Sequence, residues 1–110
     1  MIIAVDGVGG DRAPEAIVEG VVWAIRDDLV NKILLVGPKE LMQKHLAQYD
    51  YPDYRIEIVD APEIVAMDEN PTGSLKKKRS SMAVLGELLQ QGKAKAAVSA
   101  GNTGAYYAHL

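Results

Sequence analysis

Two glycine-rich stretches carry the residue types that chemistry needs. The first is Asp6-Gly7-Val8-Gly9-Gly10-Asp11, and the second is Ser99-Ala100-Gly101-Asn102-Thr103-Gly104. In the second, a short apolar run (Ala96 to Val98) breaks into glycine and polar residues, and Ala105-Tyr106-Tyr107-Ala108 follows with the composition of an opening helix. A strand that turns helical through such a loop gathers backbone N–H groups in one small volume. Those donors, the positive end of the helix dipole and the hydroxyls of Ser99 and Thr103 make an anion site. Glycine at 101 and 104 lets a phosphate approach the backbone with no Cβ in the way. The plainer reading is a tight turn, with Asn102 in a left-handed conformation and Thr103 as a helix cap.

In the first stretch, Asp6 and Asp11 have the chemistry to hold a metal, to act as a base or to orient a ligand hydroxyl. Against that stands a structural role, Asp6 capping loop N–H groups and Asp11 supporting a helix start. The spacing of Gly7, Gly9 and Gly10 departs from the dinucleotide pattern Gly-x-Gly-x-x-Gly, because position 12 is Arg. No Gly-Lys-Ser/Thr is present, which excludes a P-loop. Lys76-Lys77-Lys78-Arg79 is a basic run suited to a phosphate or an acidic partner, or simply to a solvated face balanced by Asp68-Glu69. His45 and His109 are isolated, no pair is spaced as a zinc motif requires, and no metal site is expected.

The elements that must position these residues alternate. Ile2 to Val5 is an unbroken apolar run, expected as a strand covered on both faces, hence in a parallel sheet. Pro14 suits the start of a helix whose face carries Ile17, Val18, Val21, Val22 and Ile25 and which fades at Asp27-Asp28. Ile33 to Val36 is a second strand, and Pro38 opens a helix with a stripe of Leu41, Met42, His45 and Leu46. Residues 49–54 form a loop, Ile56, Ile58 and Val59 a third strand, and residues 60–73 an irregular stretch. A short helix is expected from Ser74. A longer one carries Met82, Val84, Leu85, Leu88 and Leu89, capped by Ser80-Ser81 and stopped at Gly92. Ala96 to Val98 then reads as the end of a buried strand, and a last helix starts near Thr103. Such an order makes right-handed crossovers around a parallel sheet, with ligands at the carboxyl ends of the strands. Both glycine-rich loops lie at such ends.

A length of 110 residues bounds the chain to a single α/β domain, residues 1–110. With 48% apolar and 25% charged residues it has the balance of a globular protein, and a net charge of −3 argues against a nucleic-acid binder. The absence of cysteine excludes disulfides and thiolate metal sites and fits a reducing compartment. The opening strand has no basic leader, and no run approaches the ~18 apolar residues that span a bilayer. A cytoplasmic protein is expected. The last helix stops after about two turns with no cap, which suggests the amino-terminal part of a longer chain.

Read together, the motifs resemble one family. Asp6 to Pro14 with Ile17-Val18-Glu19-Gly20, then Met67-Asp68-Glu69 with Pro71, Lys77-Lys78, Ser80-Ser81-Met82 and Ser99 to Ala105 stand in the order found in the PlsX-type phosphate acyltransferases of bacterial phospholipid synthesis. The chain departs at Gly7-Val8, where the family tends to Ala-Met, and at Gly73-Ser74. The resemblance covers the amino-terminal part of longer proteins. It implies a three-layer α/β/α sandwich with a mostly parallel sheet, similar to phosphotransacetylase and isopropylmalate dehydrogenase, and a homodimer. It also implies transfer of a fatty acyl group from acyl carrier protein to inorganic phosphate, with no cofactor. On this reading Asn102 and Ser99 are catalytic, and Gly101, Asn102, Thr103 and Gly104 bind phosphate. Asp6, Gly9, Gly10, Asp11, Lys76, Lys77, Lys78 and Arg79 contact substrate or carrier protein. Membrane contact is peripheral and lies, with further catalytic groups, beyond Leu110. Two other readings remain: a non-catalytic α/β module binding a small phosphorylated ligand or a partner protein, and a dehydrogenase of related fold, which the missing dinucleotide spacing disfavours.

Overall fold

A computed structural model describes residues 1–63 and 80–100. The strands β1 (Ile2–Asp6), β2 (Lys32–Gly37), β3 (Ile56–Asp60) and β4 (Ala96–Val98) alternate with the helices α1 (Glu15–Arg26), α2 (Lys39–Leu46) and α3 (Ser81–Gln90). A single 3-10 turn, Asp53–Arg55, leads into β3. Every strand pair is parallel, and the spatial order is β3-β2-β1-β4. Ile3 lies opposite Ile33 on one side and Ala96 on the other, while Ile33 lies opposite Ile56. The chain therefore moves outward through β1, β2 and β3, then crosses back to place β4 on the far side of β1.

Strand alternation divides the core in two. Ile33, Leu35 and Ile56 pack against Val18, Val21, Val22 and Ile25 of α1 and Met42 and Leu46 of α2. From the opposite face, Ala4, Leu34 and Val36 meet Met82, Val84, Leu85 and Leu88 of α3. The result is the expected three-layer α/β/α arrangement. Both outward crossovers place their helices on one face, and the return crossover places α3 on the other, as right-handed connections require.

The helix boundaries follow local chemistry. Helix α1 ends as expected at Asp27-Asp28, where Asp28 takes a positive φ of 59°. Ser80 caps α3, its hydroxyl accepting from the Ala83 N–H at 3.3 Å, and the chain leaves that helix through Gly92 at φ 72°. Helix α2 follows Pro38, which has no side chain to cap it; Asp60 at the end of β3 supplies the acceptor, 3.0 Å from the Lys39 N–H.

Three expectations change. Strand β2 is covered on both faces, but Ile3 and Val5 of β1 are only half-buried. Strand β4 has a neighbour on one side alone among the described residues, and Val98 is 53% exposed rather than buried. Ile3, Val5 and Val98, with Ala16, Ile17 and Gly20 of α1, line an open apolar groove of about 300 Å³. Asp11 is exposed and α1 begins without any side-chain cap, so Asp11 does not serve the helix start. The expected short helix from Ser74 and the last helix from Thr103 lie outside the described residues. No helix among the described residues is long and apolar enough to cross a membrane.

Candidate functional site

The sheet order sets side by side two strands whose connecting helices lie on opposite faces. From β1 the chain leaves toward α1; β4, beside it, is reached from α3 on the other face. In doubly wound sheets the carboxyl ends of two such strands are the usual ligand position. The loop after Asp6 and the residues Ser99 and Ala100 that follow β4 lie at these carboxyl ends.

Asp6 joins the two loops. Its carboxylate is 1% exposed, and Oδ1 accepts the N–H groups of Val8 at 3.0 Å and Gly9 at 3.1 Å. Oδ2 accepts the Ser99 hydroxyl at 2.8 Å, across 93 residues of sequence. A carboxylate buried this deeply is tolerable because donors surround it. The capping role read from the sequence is thus present, with a tie to the second loop that local reasoning did not supply. Ser99 itself is half-buried.

Gly10 brings the loops into contact. Its φ is +99°, a conformation that L side chains rarely adopt. A Cβ on Gly10 would lie 3.1 Å from both the Cβ and the carbonyl oxygen of Ala100. Gly7 serves another purpose. A Cβ there would meet Met42 Sδ at 2.4 Å, and one on Gly37 would meet the same atom at 3.1 Å. The fully buried Met42 of α2 therefore rests on Gly7, which follows β1, and Gly37, which ends β2. This gives a packing reason for glycine at position 7, where the resembled family tends to alanine.

Of the residues singled out from the sequence, the structure brings together Asp6, Gly9, Gly10 and Ser99. Asp11 sits exposed at the rim of the same loop. Gly101, Asn102, Thr103 and Gly104, and the basic run Lys76, Lys77, Lys78 and Arg79, lie outside the described residues. His45 is half-buried on α2. Among the described residues, no three His, Cys, Asp or Glu side chains gather as metal ligands. Tyr51, near the amino end of the sheet, has its phenol raised above the ordinary value, first by burial and then by the carboxylate of Asp53.

Comparison with known proteins adds a family to this geometry. The family model described as fatty acid synthesis protein matches residues 1–109. A phosphate acyltransferase of Clostridium kluyveri is 45% identical over 106 residues, which cover 96% of this chain and 31% of that protein. Phosphate acyltransferases of Clostridium botulinum (strain Loch Maree) and Clostridium acetobutylicum are 44% and 43% identical over 109 residues, 98% of this chain. The chain spans about a third of the length of these curated relatives.

Proposed function

This chain belongs to the family of fatty acid synthesis proteins, and from that membership we propose that it supplies the phosphate-binding crevice of a phosphate acyltransferase. The reaction moves a fatty acyl group from acyl carrier protein to inorganic phosphate. An oxygen of hydrogen phosphate attacks the thioester carbonyl, the C–O bond forms, the C–S bond breaks, and the phosphate proton ends on the departing thiol. The products are an acyl phosphate and the free carrier-protein thiol. Such a site must hold a dianion and stabilise a developing oxyanion. Backbone N–H groups of residues 101–104, the Asn102 amide and the Thr103 hydroxyl have the chemistry for it, with Ser99 beside them. The observation that carries the reading is the 2.8 Å bond from Ser99 to Asp6, which fixes the start of this stretch against the glycine loop of β1.

In this proposal Lys76, Lys77, Lys78 and Arg79 face the phosphate of the carrier protein's pantetheine arm or its acidic surface. Homodimerisation, a cytoplasmic location and peripheral membrane contact complete the picture for the longer proteins of the family.

Titration of the isotope-labelled chain with inorganic phosphate tests the assignment. The largest amide shifts should fall on residues 99–104 and 7–10. Asn102→Ala should weaken phosphate binding about ten- to a hundredfold, the value of one hydrogen bond to a charged ligand, and leave stability nearly unchanged. Gly101→Val should lose binding and stability together. Shifts confined elsewhere, or parental affinity in Asn102→Ala, would reduce the stretch to a turn. Phosphate binding without acyl phosphate formation from acyl carrier protein would favour the non-catalytic module.

A further inference from the structure

We propose that the open apolar groove beside α1 seats a fatty acyl chain; the proposal rests on the acyl-transfer reading above. Strand register sets the position of the groove. Val5 lies opposite Val98, and alternation sends both side chains, with that of Ile3, to the α1 face. The residues that follow them, Asp6 and Ser99, are joined by the 2.8 Å bond. The head of the groove therefore lies one residue below the carboxyl ends of β1 and β4, where doubly wound sheets take their ligands. From Ala16 to Ala24 the wall supplied by α1 is about 12 Å long. Val30 and Ile33 close the foot, at the amino end of the sheet. Gly20 gives the groove its width, since a Cβ there would meet no atom within 4 Å. Neither packing nor a positive φ requires glycine at this point of α1, and larger residues favour a helix.

The lining names the occupant. Ten residues line the groove, and none has a polar side-chain atom. A peptide, a sugar or a nucleotide brings donors and acceptors that such walls would leave without partners. An unbranched acyl chain brings none, and every methylene it takes out of water favours binding. The volume, about 300 Å³, is that of a small-ligand site. With its tail toward Ile33, the chain holds its thioester carbonyl at the Val5–Val98 end. The groove then does more than bind: it aims the carbonyl carbon at the carboxyl ends of β1 and β4, where the attacking oxygen is proposed to come from.

The test is a titration of the methyl-labelled chain with acyl pantetheines of increasing length, from butanoyl to dodecanoyl. Shifts should fall on Ile3, Val5, Ile17 and Val98. Affinity should climb about two- to fourfold per methylene until the groove is full, and then level off. A nitroxide at the end of the acyl chain should broaden Val30 and Ile33 more than Val98. Gly20→Leu fills the groove from an exposed helix position and should weaken decanoyl pantetheine about tenfold, with the fold retained by circular dichroism. If that variant fails to fold, Val98→Asp, at a position 53% exposed, decides by the same loss of affinity. Absence of shifts in the groove, parental affinity in the folded variant, or broadening strongest at Val98 overturns the acyl seat. So does a parent that sediments as a dimer while Gly20→Leu sediments as a monomer, because a second copy then fills the groove. Groove shifts without acyl phosphate formation uphold the acyl seat and overturn the transfer reading alone.

Discussion

Replacing Gly10 with alanine puts a Cβ 3.1 Å from Ala100 on a backbone held at φ +99°. Both effects oppose the native loop, and the change should cost about 1–3 kcal/mol. Gly20 provides the control. It lies within α1 with nothing inside 4 Å of a Cβ, so alanine there should stabilise the fold by about 0.5–1 kcal/mol. Urea denaturation of the two variants should show opposite shifts of midpoint; destabilisation by both would remove the special role of Gly10. Residue types at the site were readable because glycine, serine and aspartate cluster at the carboxyl ends of strands, where turns and ligand sites both use them. What each does was not. Nothing local distinguishes Gly10, which needs its backbone freedom, from Gly7, which makes room for Met42. That difference depends on which atoms arrive from elsewhere.

At the level of elements, the sequence is a good guide where the cause is local. Ser80 caps the helix that follows it, and Gly92 stops it, as the spacing indicates. It is a poor guide where the cause is remote. Helix α2 looks uncapped in sequence, yet Asp60 reaches its first N–H from the next strand. Asp60→Ala should therefore cost roughly 1 kcal/mol, the usual value of a lost cap, and Asp60→Asn should recover most of it. Loss of the Asp60 acceptor should also speed amide exchange selectively at Lys39. An effect spread evenly over the sheet, or none, would show that the bond does not cap the helix. Strand β4 illustrates the same limit from the other side. Its alanines and valine carry the composition of a buried strand, but burial depends on neighbours, and among the described residues β4 pairs on one side alone and Val98 is exposed.

For the molecule as a whole, alternation of strands and helices made a parallel sheet legible, because the periods of two and 3.6 are written in the apolar residues. The strand order was not, since no pattern within β4 says on which side of β1 it will lie. That order has a consequence in time. The pairs β1–β2 and β2–β3 join strands about one helix apart, whereas β1 must wait for β4, and Asp6 for Ser99, across 93 residues. Closing the longer loop carries the larger entropy, so pairing should proceed from β1 to β3 before β4 docks. In pulse-labelled refolding, amides of β2 and β3 should gain protection before those of β4; simultaneous protection would exclude this sequence of events. A chain halted at that stage has most of its core and no tie between Asp6 and Ser99. The proposed anion site would then be the last part of the fold to exist and the first to vanish, and phosphate bound there would report that assembly is complete.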